Sequence, residues 1–151
     1  MNHEGSKAQG RTKSLVFPCE LRVFVVQEIR EMEPIHLTEI AKKWLDSFNR
    51  HDVEGILAMY SDQAEHYSPK LKVRQPGTKG LIKGKDALRS WWKDSFDRLP
   101  SLQYEIIQLT PFDNRVFMEY RRHVEGEDDL RVGEMLIVDE GLIVASRVYH
   151  S

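Results

Sequence analysis

From Pro34 onward the apolar positions fall into a legible period. Leu37, Ile40, Ala41, Trp44, Leu45 and Phe48 recur at three- and four-residue spacing, one broad stripe on a helix that ends near residues 49–51. Asp52 is placed to cap a second, short helix in which Val53, Ile56, Leu57 and Tyr60 share a face before Ser61 and Asp62 stop it. Residues 64–68 read as a brief extended segment ended by Pro69, followed by a basic loop (Lys70, Lys72, Arg74) with a turn at Pro76 and Gly77. Gly84 precedes a third helix, residues 85–98, with Leu88, Trp91, Trp92, Ser95 and Phe96 on its inner face, and Pro100 closes it.

The last third changes period. Residues 102–109, 115–124, 130–138 and 142–149 are rich in β-branched and aromatic side chains, and turn-forming stretches at 111–114, 126–129 and 139–141 separate them. Three helices followed by four antiparallel strands predict an α+β layer architecture, with the helices packed over the concave face of a curved antiparallel sheet. Such an arrangement leaves a pocket between the layers.

Residues 1–34 read as a flexible extension to a single domain at 35–151. Residues 2–14 are polar and without period, which predicts a disordered arm. Residues 15–29 are more apolar, but Pro18, Glu20, Arg22, Gln27 and Glu28 interrupt them. The stretch is too short and too charged to span a bilayer, and it lacks the core and cleavage site of a secretory signal. It suits either a strand at 23–26 or a helix with Leu21, Phe24, Val25 and Ile29 on one face. Met32 is an alternative translational start.

A chain of 151 residues, 40% hydrophobic and 30% charged, has room for one core. Its net charge of -2 gives no global attraction for nucleic acid or an anionic membrane. The single cysteine, Cys19, forms no internal disulfide and no cysteine-based zinc site, so a cytoplasmic setting is expected.

The order of elements and the residues that punctuate them resemble the SnoaL-like branch of the nuclear transport factor 2-like superfamily. The resemblance is carried by Trp44-Leu45-Asp46-Ser47-Phe48-Asn49-Arg50-His51-Asp52, Met59-Tyr60-Ser61-Asp62-Gln63-Ala64 and Ile82-Lys83-Gly84-Lys85-Asp86-Ala87-Leu88. It ends with Gly133-Glu134-Met135-Leu136-Ile137-Val138-Asp139-Glu140-Gly141-Leu142-Ile143. It implies a cone-shaped α+β barrel, a homodimer formed through the open sheet face, and a deep apolar pocket with a few polar groups on its wall.

Roles known in that superfamily carry over unevenly. Ketosteroid isomerase pairs a carboxylate base with a tyrosine and a protonated aspartic acid. The base falls at Ser68, before Pro69, where a serine hydroxyl cannot serve; the tyrosine falls at Trp44, a donor only. The aspartic acid falls at Glu134. One role of three survives, so that mechanism does not carry over. In SnoaL-type cyclases the acid/base aspartate also corresponds to Glu134. Desolvation by an apolar pocket would raise its pKa into the range where it both gives and takes a proton. The alternative for Glu134 is a solvent-facing position or an ion pair with Arg131, Arg147 or another strand arginine.

His66 and Ser68 share one face of the extended segment and Glu65 and Tyr67 the other; either pair can line the pocket, and relatives like scytalone dehydratase imply a role for His66 or Tyr67. If Val116, Met118 and Tyr120 point inward, His123 belongs to the outer, dimer-forming face; the other register makes a His123–Glu134 proton shuttle. The catalytic candidates are thus Glu134, His66 and His123. Pocket-lining candidates are Trp44, Phe48, Tyr60, Tyr67, Ser68, Trp91, Trp92, Phe96, Tyr120 and Tyr149. Their aromatic character suits a small apolar or cyclic organic ligand.

The six histidines are dispersed, with no metal-ligand pattern, and Gly77, Gly80 and Gly84 match no nucleotide motif, so no metal or other cofactor is expected. The basic run Lys70, Lys72, Arg74, Lys79, Lys83, Lys85 reads as a solvated loop, and Glu125, Glu127, Asp128 and Asp129 as a solvated hairpin tip. The functional expectation is a cofactor-independent isomerase, cyclase or dehydratase-type enzyme. The alternative is a non-catalytic ligand-binding or protein-association domain.

Overall fold

The structure, a computed structural model, describes residues 33–150; the expectations for the N-terminal arm, the apolar stretch at 15–29 and Met32 lie outside the described residues. The first helix, α1 (Pro34–Asn49), buries Leu37, Ala41, Trp44, Leu45 and Phe48, the stripe that its spacing predicts. In the turn that follows it, His51 lies in the left-handed region at φ 55. Asn49 then fixes what lies across from it. Its amide donates to the Tyr104 carbonyl at 2.8 Å and accepts from the Tyr104 backbone N–H at 2.7 Å, copying a strand partner. His51 bonds the Leu102 carbonyl at 2.7 Å, so the end of α1 is tied to the start of the C-terminal strands.

Helix α2 (Val53–Leu57) is capped by Asp52, whose carboxylate accepts from the Gly55 N–H at 3.0 Å. It is shorter than the sequence pattern predicts. Tyr60 opens strand β1 (Tyr60–Tyr67) instead, because it pairs with Ile143 and its hydroxyl finds two buried partners there. A second correction concerns the basic loop, which is helix α3 (Pro69–Arg74). Pro69 starts that helix as well as ending the strand. Ser68 caps it by accepting from the Lys70 N–H at 3.2 Å, proline at the first helical position costs no hydrogen bond, and Leu71 seals it into the core. A further helix, α4 (Lys85–Arg98), buries Leu88, Trp91, Trp92, Ser95 and Phe96, the face that its spacing predicts.

Between α3 and α4 a short 3-10 turn (Pro76–Thr78) leads through Gly80 into β2 (Leu81–Lys83), which pairs antiparallel with β1. Gly80 has φ +88, and a Cβ there would lie 2.9 Å from the Tyr67 ring. Gly80→Ala is expected to destabilise the fold by about 1–2 kcal/mol, read as a lower urea midpoint with unchanged slope.

The remaining strands are β3 (Gln103–Phe112), β4 (Arg115–His123), β5 (Leu130–Asp139) and β6 (Leu142–His150), joined by hairpins. Pro111, expected in a turn, sits inside β3; this is possible because β3 is an edge strand and needs no N–H on its open side. The sheet order is β2-β1-β6-β5-β4-β3. β1 runs parallel to β6, so the sheet is mixed rather than wholly antiparallel, and among the described residues it stays open rather than closing into a barrel. α1 packs against β3 and β4, α4 against β1, and α3 against β6. The core lies between helices and sheet. Val116, Met118 and Tyr120 of β4, with Val132, Leu136 and Val138 of β5, give the inner face its alternation.

Candidate functional site

The space between α1, α3, α4 and the sheet is not filled. A cavity of about 410 Å³ remains, within the size range of small-molecule sites. Trp44 and Phe48 of α1, Trp91 and Trp92 of α4, and Val132 and Val148 of the sheet make most of its wall. Four rings form a continuous stack: Trp44 on Phe48 (5.1 Å between centroids), Phe48 on Tyr104 (4.1 Å), and Tyr104 on Tyr120 (4.1 Å).

Glu134 is set into this wall by the strand period. It lies on the inner face of β5, opposite Met118 of β4 and Val148 of β6, so its cross-strand neighbours are apolar. It is 2% exposed. Burial pushes its carboxyl up to about 8 from the usual 4.5, with the Tyr120 hydrogen bond pulling weakly the other way. The Tyr120 hydroxyl donates to Oε1 at 3.5 Å, and Oε2 has no hydrogen-bond partner among the described residues. Near neutral pH the carboxyl is therefore mostly protonated, and with Oε1 accepting from Tyr120 the acid proton belongs on Oε2. Tyr104 and Tyr120 are themselves raised by burial and by the Glu134 charge, so they act as donors and not as bases.

His66, on β1, is 3% exposed, and burial lowers its pKa from 6.5 to about 4, so the ring is neutral. Its tautomer follows from a chain of buried hydrogen bonds. The Trp44 indole N–H meets the Tyr60 hydroxyl at 3.0 Å; that hydroxyl meets Ser146 Oγ at 3.0 Å; and Ser146 Oγ lies 2.7 Å from His66 Nδ1. Indole can only donate. If Tyr60 then donates to Ser146 and Ser146 to Nδ1, every buried O–H has an acceptor; the reverse direction strands the Tyr60 proton. The relay thus makes Nδ1 an acceptor and leaves the proton on Nε2, which has no partner among the described residues on a ring that lines the cavity. Two neutral donors, Glu134 Oε2–H and His66 Nε2–H, belong to one apolar chamber.

Of the two faces of β1, His66 and Ser68 take the cavity side. Tyr67 faces away, against Gly80. His123 lies on the outer face of β4, where Glu105 (2.9 Å) and Asp129 (2.7 Å) bracket it and raise its pKa, so it forms no dyad with Glu134. Tyr149 is also on the outer face, 51% exposed, because Val148 takes the inward position of β6. Tyr60 and Phe96 are buried but stand behind the wall; Tyr60 supports the relay, and Phe96 packs on Phe48 and His51. Trp44, Phe48, Trp91, Trp92, Tyr120 and Glu134 line the cavity. Arg131, which pairs with Glu119, and Arg147 are exposed on the outer face, whereas Glu134 is buried on the inner one.

Sequence reasoning missed Tyr104, Ser146 and a polar entrance made by Lys70, Arg74, Arg98, Arg122 and Glu127. Arg122 was within reach: the alternation that turns Val116, Met118 and Tyr120 inward turns Arg122 inward too. Among the described residues no group of histidine, cysteine and acidic side chains is arranged to hold a metal, and no helix is long and apolar enough to cross a membrane.

Comparison with known proteins agrees with this geometry. A SnoaL-like protein of unknown function from Burkholderia thailandensis is 23% identical, with a TM-score of 0.71 over 80% of this chain and 98% of that one. A protein from Sinorhizobium meliloti whose name proposes a polyketide cyclase is 12% identical, with a TM-score of 0.64 over 78% and 100%. TerC, co-crystallized with polyporic acid, is 17% identical, with a TM-score of 0.67 over 77% and 92%. At these identities the likeness is one of fold. No curated protein matches the chain in sequence. The model of the SnoaL-like domain matches residues 41–146, most of the chain, and the protein therefore belongs to the SnoaL-like family.

Proposed function

We propose that this chain is a small-molecule enzyme of the isomerase, cyclase or dehydratase type, with Glu134 as its general acid/base and His66 as a neutral hydrogen-bond donor. The observation that carries the reading is a carboxyl group pushed up to about 8 whose Oε2, beside a cavity of about 410 Å³, has no hydrogen-bond partner among the described residues. A general acid/base works best when its pKa is near the working pH. In its acid form Glu134 hydrogen-bonds or protonates a carbonyl oxygen, and in its base form it takes a proton from a neighbouring carbon. His66 Nε2–H adds a second donor for charge that develops on oxygen. The stacked aromatic wall suits an apolar cyclic or carbonyl compound, and the co-crystallization of the structural neighbour TerC with polyporic acid is in keeping with that. The reading calls on no cofactor, and a cytoplasmic protein with a single cysteine is consistent with it.

The test is ligand capture. Native mass spectrometry of the purified protein should find a co-purifying small molecule, and Glu134→Gln should keep that binding while losing turnover. Unchanged turnover in Glu134→Gln removes the acid/base role, and a wild type that binds its ligand without turning it over leaves the second reading, a non-catalytic ligand-binding or association domain.

A homodimer belongs to the same proposal. The outer face of β4–β6 carries Phe117, Met135, Ile137 and the exposed Tyr149, an apolar surface of the kind that marks an interface. The expected mass by light scattering is that of two chains, and Tyr149→Asp should shift it toward one. A monomeric wild type contradicts the dimer.

A further inference from the structure

The cavity entrance gathers positive charge from three separate elements: Lys70 and Arg74 of α3, Arg98 of α4 and Arg122 of β4. Their neutralisation is incomplete. Arg74 and Arg98 share the single carboxylate of Asp94, at 3.7 and 2.8 Å. Arg122, its side chain only 7% exposed, reaches Glu127 through one contact of 3.5 Å. Lys70 makes no ion pair among the described residues, and burial, Arg122 and Arg98 together lower its pKa. Among the described residues these four cations thus meet two carboxylates. Burying a guanidinium is costly unless its donors are matched, and among the described residues one long contact leaves most of the five N–H groups of Arg122 without an acceptor.

We infer that this entrance is a carboxylate-recognition site, and that the ligand of the cavity is an apolar ring system bearing a carboxylate. The inference rests on the small-molecule reading of the pocket and gives its substrate class. The planar fork of Arg122 fits a carboxylate in two-point contact, and Lys70 supplies the point charge beside it. The apolar body then lies inward along Trp91 and Trp92, toward Glu134 and His66. Anchoring the charged end at the entrance leaves the uncharged end at the acid groups, where a second negative charge would be repelled by any ionised Glu134.

Matched pairs test this: naphthalene, biphenyl and anthracene carboxylates against their primary amides, measured by tryptophan fluorescence and calorimetry at low and high salt. The carboxylates should bind at least tenfold tighter than the amides, with a preference that shrinks as salt rises. Arg122→Gln and the double variant Lys70→Gln/Arg98→Gln should each bring carboxylate affinity toward that of the amide. If Arg122→Gln fails to fold by circular dichroism, the double variant decides. Equal binding of acid and amide by the wild type overturns the carboxylate site and leaves the pocket reading standing. A preference that survives in the double variant and in folded Arg122→Gln overturns the placement at the entrance. Binding of neither series overturns the pocket reading and this inference together.

Discussion

Glu134→Gln is expected to lower turnover by ~10²–10⁴-fold, the usual worth of a positioned acid/base, with ligand affinity largely kept. Glutamine preserves an acceptor for the Tyr120 hydroxyl, so the change removes a titrating proton more than a shape. The same substitution should alter how stability depends on pH. Glu134 in the fold titrates near 8 against 4.5 when unfolded, so between those values the native state holds a proton that the unfolded state has released. Stability then falls as pH rises through this window, by at most about 1.4 kcal/mol per pH unit. His66 acts in the opposite sense. Its folded value near 4 lies below the ordinary 6.5, so stability is lost as pH falls from 6.5 toward 4. Between 4.5 and 6.5 the two slopes oppose each other. The alkaline limb, from 6.5 to 8, belongs to Glu134 alone of the pair. Urea melts across this range should show a steep limb in the wild type and a shallower one in Glu134→Gln, where the surface His123, its pKa raised by Glu105 and Asp129, still loses stability as pH rises; parallel curves would mean that Glu134 is ionised normally.

The second large effect is on the relay. Trp44→Ala should cost ~3–5 kcal/mol, because Trp44 is 1% exposed, stacks on Phe48 and gives Tyr60 its buried donor. Trp44→Phe separates packing from direction. It keeps most of the buried area and loses the N–H, for a cost of about 1 kcal/mol. Without the indole donor the hydrogen bonds from Tyr60 to His66 are free to reverse. Nitrogen-15 shifts of the His66 ring should show a proton on Nε2 in the wild type and a mixture of tautomers in Trp44→Phe. A proton on Nδ1 in the wild type would mean that the chain runs the other way and that His66 offers the ligand an acceptor.

Much of the fold was legible because the period of burial is local. The stripes of α1 and α4 and the alternation of β4 and β5 follow directly from which residues are apolar. The misreadings fall where a residue serves two elements or where the partner is remote in sequence. Pro69 ends β1 and also starts α3, and local pattern reports only the first role. Tyr60 fits the face of a helix, but its partners Ile143 and Ser146 lie more than eighty residues away. Glu134 was visible as a carboxyl in an apolar strand. Its state was not, since that depends on Met118 and Val148 being its neighbours. The cationic entrance was hidden for a similar reason: Lys70, Arg98 and Arg122 look like separate surface charges until α3, α4 and β4 converge.

The most direct test is a titration of Glu134 itself, by carbon-13 NMR of the side-chain carboxyl, assigned by its absence in Glu134→Gln. A buried, protonated acid in an apolar chamber should titrate near 8 and remain mainly neutral at pH 7. A midpoint at or below 4.5 would mean that water or a cation reaches the carboxyl, and the chamber would not be the dry acid/base site described.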